Sequence, residues 1–141
     1  MLGSNRKLIL VGLFLSILAG CTSLSSCGDD DVRLLRTPTE HMVNNGIKNY
    51  EDGNYTTAMT IFQNLVANKD ATKSEKVIAY KYMAFLHCIS PTASKDTRER
   101  MCRESFKKAF ELNPNFDLKP AEAGHPVWGP VFSSVKHTPK K

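Results

Sequence analysis

Several residue classes that catalysis or membrane insertion would need are scarce in this chain. Its 141 residues include four histidines, His41, His87, His125 and His137, spread too widely to suggest a ligand set or a proton-transfer pair. It has no glycine-rich phosphate loop and no paired-acid motif. We therefore expect no enzyme, no cofactor, no metal and no small-molecule substrate. Charge of one sign is also in short supply. The formal net charge is +5, and without Arg6 and Lys7 it falls to 17 basic against 14 acidic residues, or +3. That is too weak a bias to argue for nucleic acid. No apolar run reaches the roughly twenty residues that a membrane-spanning helix requires.

The longest apolar run has a different character. Asn5, Arg6 and Lys7 precede Leu8 to Leu18, interrupted by Gly12 and Ser16, and Leu18-Ala19-Gly20-Cys21 closes it. A positive start, a short apolar stretch and small residues at its exit match a secretory signal. The ending resembles the bacterial lipobox. This implies that the Cys21 thiol is alkylated with diacylglycerol, that the chain is cut before it, and that the new amino group is acylated. One acyl chain holds a protein marginally and two hold it stably, so three would anchor it permanently in membrane lipid. An ordinary signal followed by an incidental cysteine is the alternative. Thr22 stands where an aspartate would imply retention in the inner membrane, so the resemblance places the protein on the periplasmic face of the outer membrane.

On this reading residues 1–20 are the signal peptide, 21–37 a lipidated flexible tether, 38–136 a helical domain and 137–141 a basic tail expected to be disordered. The tether, with Ser23, Ser25, Ser26, Gly28 and Asp29 to Asp31, has no period. It should reach on the order of 20 Å from the bilayer. Cys27 lies within it, either free or paired with another chain. The 121 residues left after the signal suffice for one small domain.

Helical signals begin after Pro38. Thr39 can cap a helix running to about Asp52, and Gly53-Asn54 forms the turn before a second helix from Tyr55 to about Asn68. Gly46, Tyr50, Tyr55, Ala58, Ile61, Phe62 and Leu65 recur at helical spacing. Gly46, Tyr50, Gly53, Tyr55, Ala58 and Phe62 resemble a tetratricopeptide repeat, in which small residues let two helices meet and an aromatic precedes the turn. Leu65 and Asp70 depart from that pattern, and a generic helical hairpin explains the same residues. A second hairpin follows. Ser74 to Ile89 is apolar nearly all round, at Val77, Ile78, Tyr80, Tyr82, Met83, Ala84, Phe85 and Leu86, and should be the buried central helix. Its partner runs from about Asp96 to Leu112 across an extended turn, Ser90 to Asp96, and Ala84, Cys102, Phe106, Ala109 and Pro114 fall on repeat positions. The expected fold is all-α, about two tetratricopeptide-like hairpins with a C-terminal helical cap.

The cap is needed because two hairpins alone bury little. A short helix from Pro120 should stop at Gly124, and Trp128 and Phe132, four residues apart, should begin another. This lid is expected to cover Met101, Phe106, Ala109 and Phe110. His125, before Pro126, should fix the intervening turn. Trp128 can be either core or an exposed partner anchor. Cys88 lies near the end of one helix and Cys102 near the start of the next, antiparallel one, so the two can meet as a disulfide in an oxidising compartment. Two buried thiols are the alternative. A metal site with His87 is disfavoured, because adjacent helical residues point about 100° apart.

The run Gly124-His125-Pro126, then Trp128-Gly129-Pro130-Val131-Phe132, follows a helix carrying Cys102, Phe106, Ala109 and Phe110 that ends in Asn113-Pro114. Together these resemble the TssQ family of lipoproteins associated with type VI secretion, over about Gly46 to Lys136. The resemblance implies an outer-membrane lipoprotein accessory to the secretion machine, with a protein partner in the cell envelope. The residues alone support a narrower reading: a lipid-anchored adaptor whose concave face binds a peptide or helix of a partner. Other roles open to such a chain are a pilotin-like or outer-membrane-assembly factor, and a peptidoglycan-binding envelope protein.

Overall fold

The computed structural model describes residues 37–137. The expected signal and tether, with Cys21, Thr22 and Cys27, and the tail residues 138–141 lie outside them. Helix α1, Pro38–Glu51, starts at Thr37, whose hydroxyl accepts the Glu40 N–H at 3.2 Å. This corrects the expected cap at Thr39. Pro38 occupies the first helical position, where no N–H is required and its fixed φ suits the turn, so the threonine before it becomes the cap. Thr39 is instead buried in the first turn, with its hydroxyl 3.0 Å from that of Thr37.

Gly53, at φ +79°, reverses the chain into α2, Tyr55–Ala67. The two helices cross at Gly46. A Cβ there would sit 2.6 Å from the Phe62 ring, so the close approach depends on the missing side chain. Helix α3, Lys73–Ile89, begins one residue earlier than expected, because Thr72 and Glu75 form a reciprocal capping box that accounts for both backbone donors. Ser94 caps α4, Lys95–Leu112, and two short helices follow, α5 (Pro120–Ala123) and α6 (Gly129–Lys136).

The described residues are all-α: hairpin α1–α2 packs on α3, α3 pairs with α4, and α6 closes over α4. Two apolar clusters share α3. Ala79 and Leu86 join Val43, Ala58, Phe62 and Leu65 on one side, while Ala84, Phe85 and Cys88 join Cys102, Phe106, Trp128 and Phe132 on the other. Burial on both sides is the physical reason that this helix is apolar nearly all round. Among the described residues no helix is long and apolar enough to cross a membrane.

Candidate partner-binding face

The C-terminal cap positions this face. Trp128 is 8% exposed and Phe132 3%. The indole stacks on Phe85 of α3 at 4.4 Å, and its N–H donates to the Glu122 carbonyl at 2.9 Å. Phe132 takes the surface of α4, 5.2 Å from Phe106 and 5.6 Å from Phe110. The lid is therefore divided between two helices rather than laid along α4 alone. It also leaves Met101 uncovered, at 37% exposure. Met101 adjoins the buried Cys102 in sequence, and the roughly 100° between helical neighbours turns it out of the seam.

His125 is partly buried, its ring stacked on Trp128 with centroids 3.3 Å apart, and its Nδ1 accepts the Val127 N–H at 3.2 Å. It fixes the turn that carries the tryptophan. A Cβ at Gly129 would overlap the Ala123 carbonyl, so the glycine after Trp128 is what lets α5 and α6 touch. The sequence reading missed Phe116. It is buried between α4 and α6, 5.4 Å from Phe110 and 5.8 Å from Phe132. The available signal was alternation in Asn115-Phe116-Asp117-Leu118-Lys119, where only the apolar members are buried.

Cys88 and Cys102 form a disulfide across the α3–α4 seam, with Cα atoms 5.1 Å apart. The neighbouring His87 is held below its ordinary pKa by burial. Among the described residues no group of three histidine, cysteine or acidic side chains is placed to hold a metal.

The start of α3, the end of α4 and the segment that follows it floor a trough. At its start lies a cavity of about 400 Å³, with Val77, Ile78, Leu112 and Phe116 beneath and Lys73, Lys119 and Asp117 around the rim. Asp117 pairs with Lys136 at 2.5 Å, and this hydrogen bond holds its carboxyl below the usual range. In the same cavity, Lys81 Nζ meets Glu122 Oε1 at 2.7 Å, a pair whose side chains are 13% and 21% exposed. The same ammonium lies 4.7 Å from the Tyr82 ring centre. Tyr82 is 5.0 Å from Tyr50, which in turn is 5.8 Å from Tyr55. The cavity thus sets lysines and carboxylates around an apolar floor, a set suited to gripping side chains of another molecule.

Burial pushes the Tyr50 phenol up to about 12, with Tyr55, Tyr82 and Glu122 adding to the effect. Burial raises Tyr82 as well, followed by Glu122 and Glu51. Because the folded-state value lies above the unfolded one, the associated stabilisation is intact below about pH 10 and is lost as pH rises through about 12. Ultraviolet titration should show at least one of the four tyrosines ionising late, and the delay should vanish in denaturant. A single transition near pH 10 for all of them would contradict this packing.

The class the structure defines is an all-α domain of helical hairpins, closed by a C-terminal aromatic cap and one disulfide. No family model matches the chain, nor does any curated protein or solved structure.

Proposed function

We propose that this protein is a lipid-anchored adaptor of the bacterial envelope, held on the periplasmic face of the outer membrane through Cys21, with a protein partner seated in the trough along α3. The trough carries the proposal: an apolar floor with a charged rim lies open beside a core that the cap has otherwise sealed. Leu18-Ala19-Gly20-Cys21 supports the anchor, and the TssQ-like residues support type VI secretion machinery as the setting. The tetratricopeptide-like character of the two hairpins belongs to the same proposal, supported by Gly46 against Phe62 and by the Gly53 turn.

A photo-crosslinking residue placed at Lys73 in the full chain should give one discrete protein adduct in cells. The same residue at Lys107, on the solvent side of α4, should give none. Equal adducts from both positions, or none from Lys73, would reject the adaptor. In parallel, Cys21→Ser should abolish labelling by a palmitate analogue. Equal labelling of variant and parent would end the anchor argument.

A further inference from the structure

We propose that the cavity at the start of α3 receives an acidic amphipathic segment of the partner, whose carboxylates meet Lys73 and Lys119 while its apolar side chains cover the floor. This rests on the adaptor reading and adds the chemistry of what is bound.

The hydrogen bonds around the cavity set the sign of the occupant. Two carboxylates line it, and each of their oxygens is already engaged. Asp117 accepts the Leu118 N–H on Oδ1 at 2.9 Å and the Lys136 ammonium on Oδ2 at 2.5 Å. Glu122 accepts the Lys81 ammonium on Oε1 at 2.7 Å and the Lys119 backbone N–H on Oε2 at 3.0 Å. Each acid has its own lysine, so neither is left to attract a cation. The donors are in the opposite condition. Lys73 and Lys119 line the same cavity at exposed positions, and among the described residues neither ammonium forms an ion pair. Asn113 uses its side-chain oxygen on the Asn115 N–H at 3.0 Å, which leaves its amide hydrogens as a further donor on the lining. Lys73, Lys81, Lys119 and Lys136 stand against Asp117 and Glu122 alone, a local excess of positive charge.

The floor makes the occupant amphipathic. Val77 and Phe116 are buried, with Ile78 and Leu112 half-buried beside them. At about 400 Å³ the cavity lies near the small end of the range for binding sites, so it takes a few side chains of a segment lying across it rather than a whole helix. Other occupants fit less well. A basic segment would meet two unpaired lysines and no open carboxylate. A wholly apolar one would desolvate those lysines without a counter-charge. A small inorganic anion would leave the floor uncovered. An acidic amphipathic segment answers both the rim and the floor.

The test uses the full chain in nonionic detergent, titrated by calorimetry against micelle blanks with a helical peptide of leucine and glutamate and with its leucine and lysine counterpart. The net positive charge of the chain already favours the acidic peptide, so single-lysine variants are needed to report the local site. We expect the glutamate peptide to bind and the lysine peptide to bind at least tenfold more weakly. Lys73→Gln and Lys119→Gln should each weaken the glutamate peptide by about fivefold with melting temperature unchanged, since neither side chain holds an ion pair. Lys107→Gln removes the same charge from the solvent side of α4 and should leave binding as it is. No binding of the glutamate peptide, equal or tighter binding of the lysine peptide, full affinity in both rim variants, or an equal loss in Lys107→Gln would overturn the proposal. Binding to phosphatidylglycerol micelles in place of the peptide, with the same dependence on Lys73 and Lys119, would assign the cavity to a lipid headgroup and overturn it as well. Crosslinking separates the two readings. A photo-crosslinking residue at Lys73 removes one rim cation, and adding Lys119→Gln removes the other. An adduct that persists undiminished in that combination rejects the acidic segment and leaves the adaptor standing, whereas no adduct with Lys119 intact rejects the adaptor itself.

Discussion

Trp128→Ala is expected to lower the unfolding free energy by about 3 to 5 kcal/mol. The side chain is 8% exposed, stacks on Phe85 at 4.4 Å and donates its N–H to Glu122 at 2.9 Å. Truncation therefore removes a large apolar surface, strands a carbonyl and leaves His125 without the ring on which it lies. A domain of this size has only about 5 to 10 kcal/mol to lose, so the urea midpoint should fall by a large fraction of its value. Trp128→Phe keeps the stack and drops only the N–H, so it should cost about 1 kcal/mol plus any packing loss. If Trp128 were instead an exposed anchor for the partner, the midpoint of Trp128→Ala would not move while partner binding weakened by about 2 kcal/mol or more. An unchanged midpoint rejects the cap as described.

Removal of the Cys88–Cys102 bridge should have the next largest effect. It closes a loop spanning 14 positions. The denatured-state entropy released corresponds to about 3 kcal/mol. The double variant Cys88→Ala, Cys102→Ala should therefore unfold at a clearly lower urea concentration, as should the parent under reducing conditions. The loop includes the residues between α3 and α4, where no other cross-link restrains the unfolded chain. The loss should also reach the cap, because Phe106, one turn beyond Cys102, carries Phe132 at 5.2 Å. In the oxidised native protein both cysteines should resist alkylation until reduced. If both label readily, or if reduction leaves the midpoint where it was, the bridge is not part of the folded protein in solution.

The fold class and the disulfide are seen directly in the structure. The sequence by itself determined where helices begin and end, because those choices are made within a few residues. Thr72 with Glu75, Pro38 at a first turn, Gly53 at positive φ and Pro120 before Gly124 each act through hydrogen bonds or fixed dihedrals that involve only near neighbours. The misplaced first cap, Thr39 for Thr37, came from two threonines flanking the same proline, and the start of α3 was set one residue late because the Thr72–Glu75 box was not read. The pairing of Cys88 with Cys102 was legible for a related reason: consecutive antiparallel helices bring the end of one beside the start of the next.

Only the tertiary structure decided which surfaces met after the chain turned back at Gly124. Trp128 went to Phe85 on α3 while Phe132 went to α4, Met101 stayed exposed, and Phe116 filled a gap that no helical period announced. The trough is of the same kind. Its central pair, Lys81 with Glu122, joins residues 41 positions apart. Tyr50 and Tyr82 meet only because Gly46 lets α2 close on α1 and both then pack on α3. Periodicity specifies that a helix has an apolar face. Which ring or charge of another helix lies against that face depends on crossing angles and side-chain volumes summed over the whole core, and these are settled together when the domain packs.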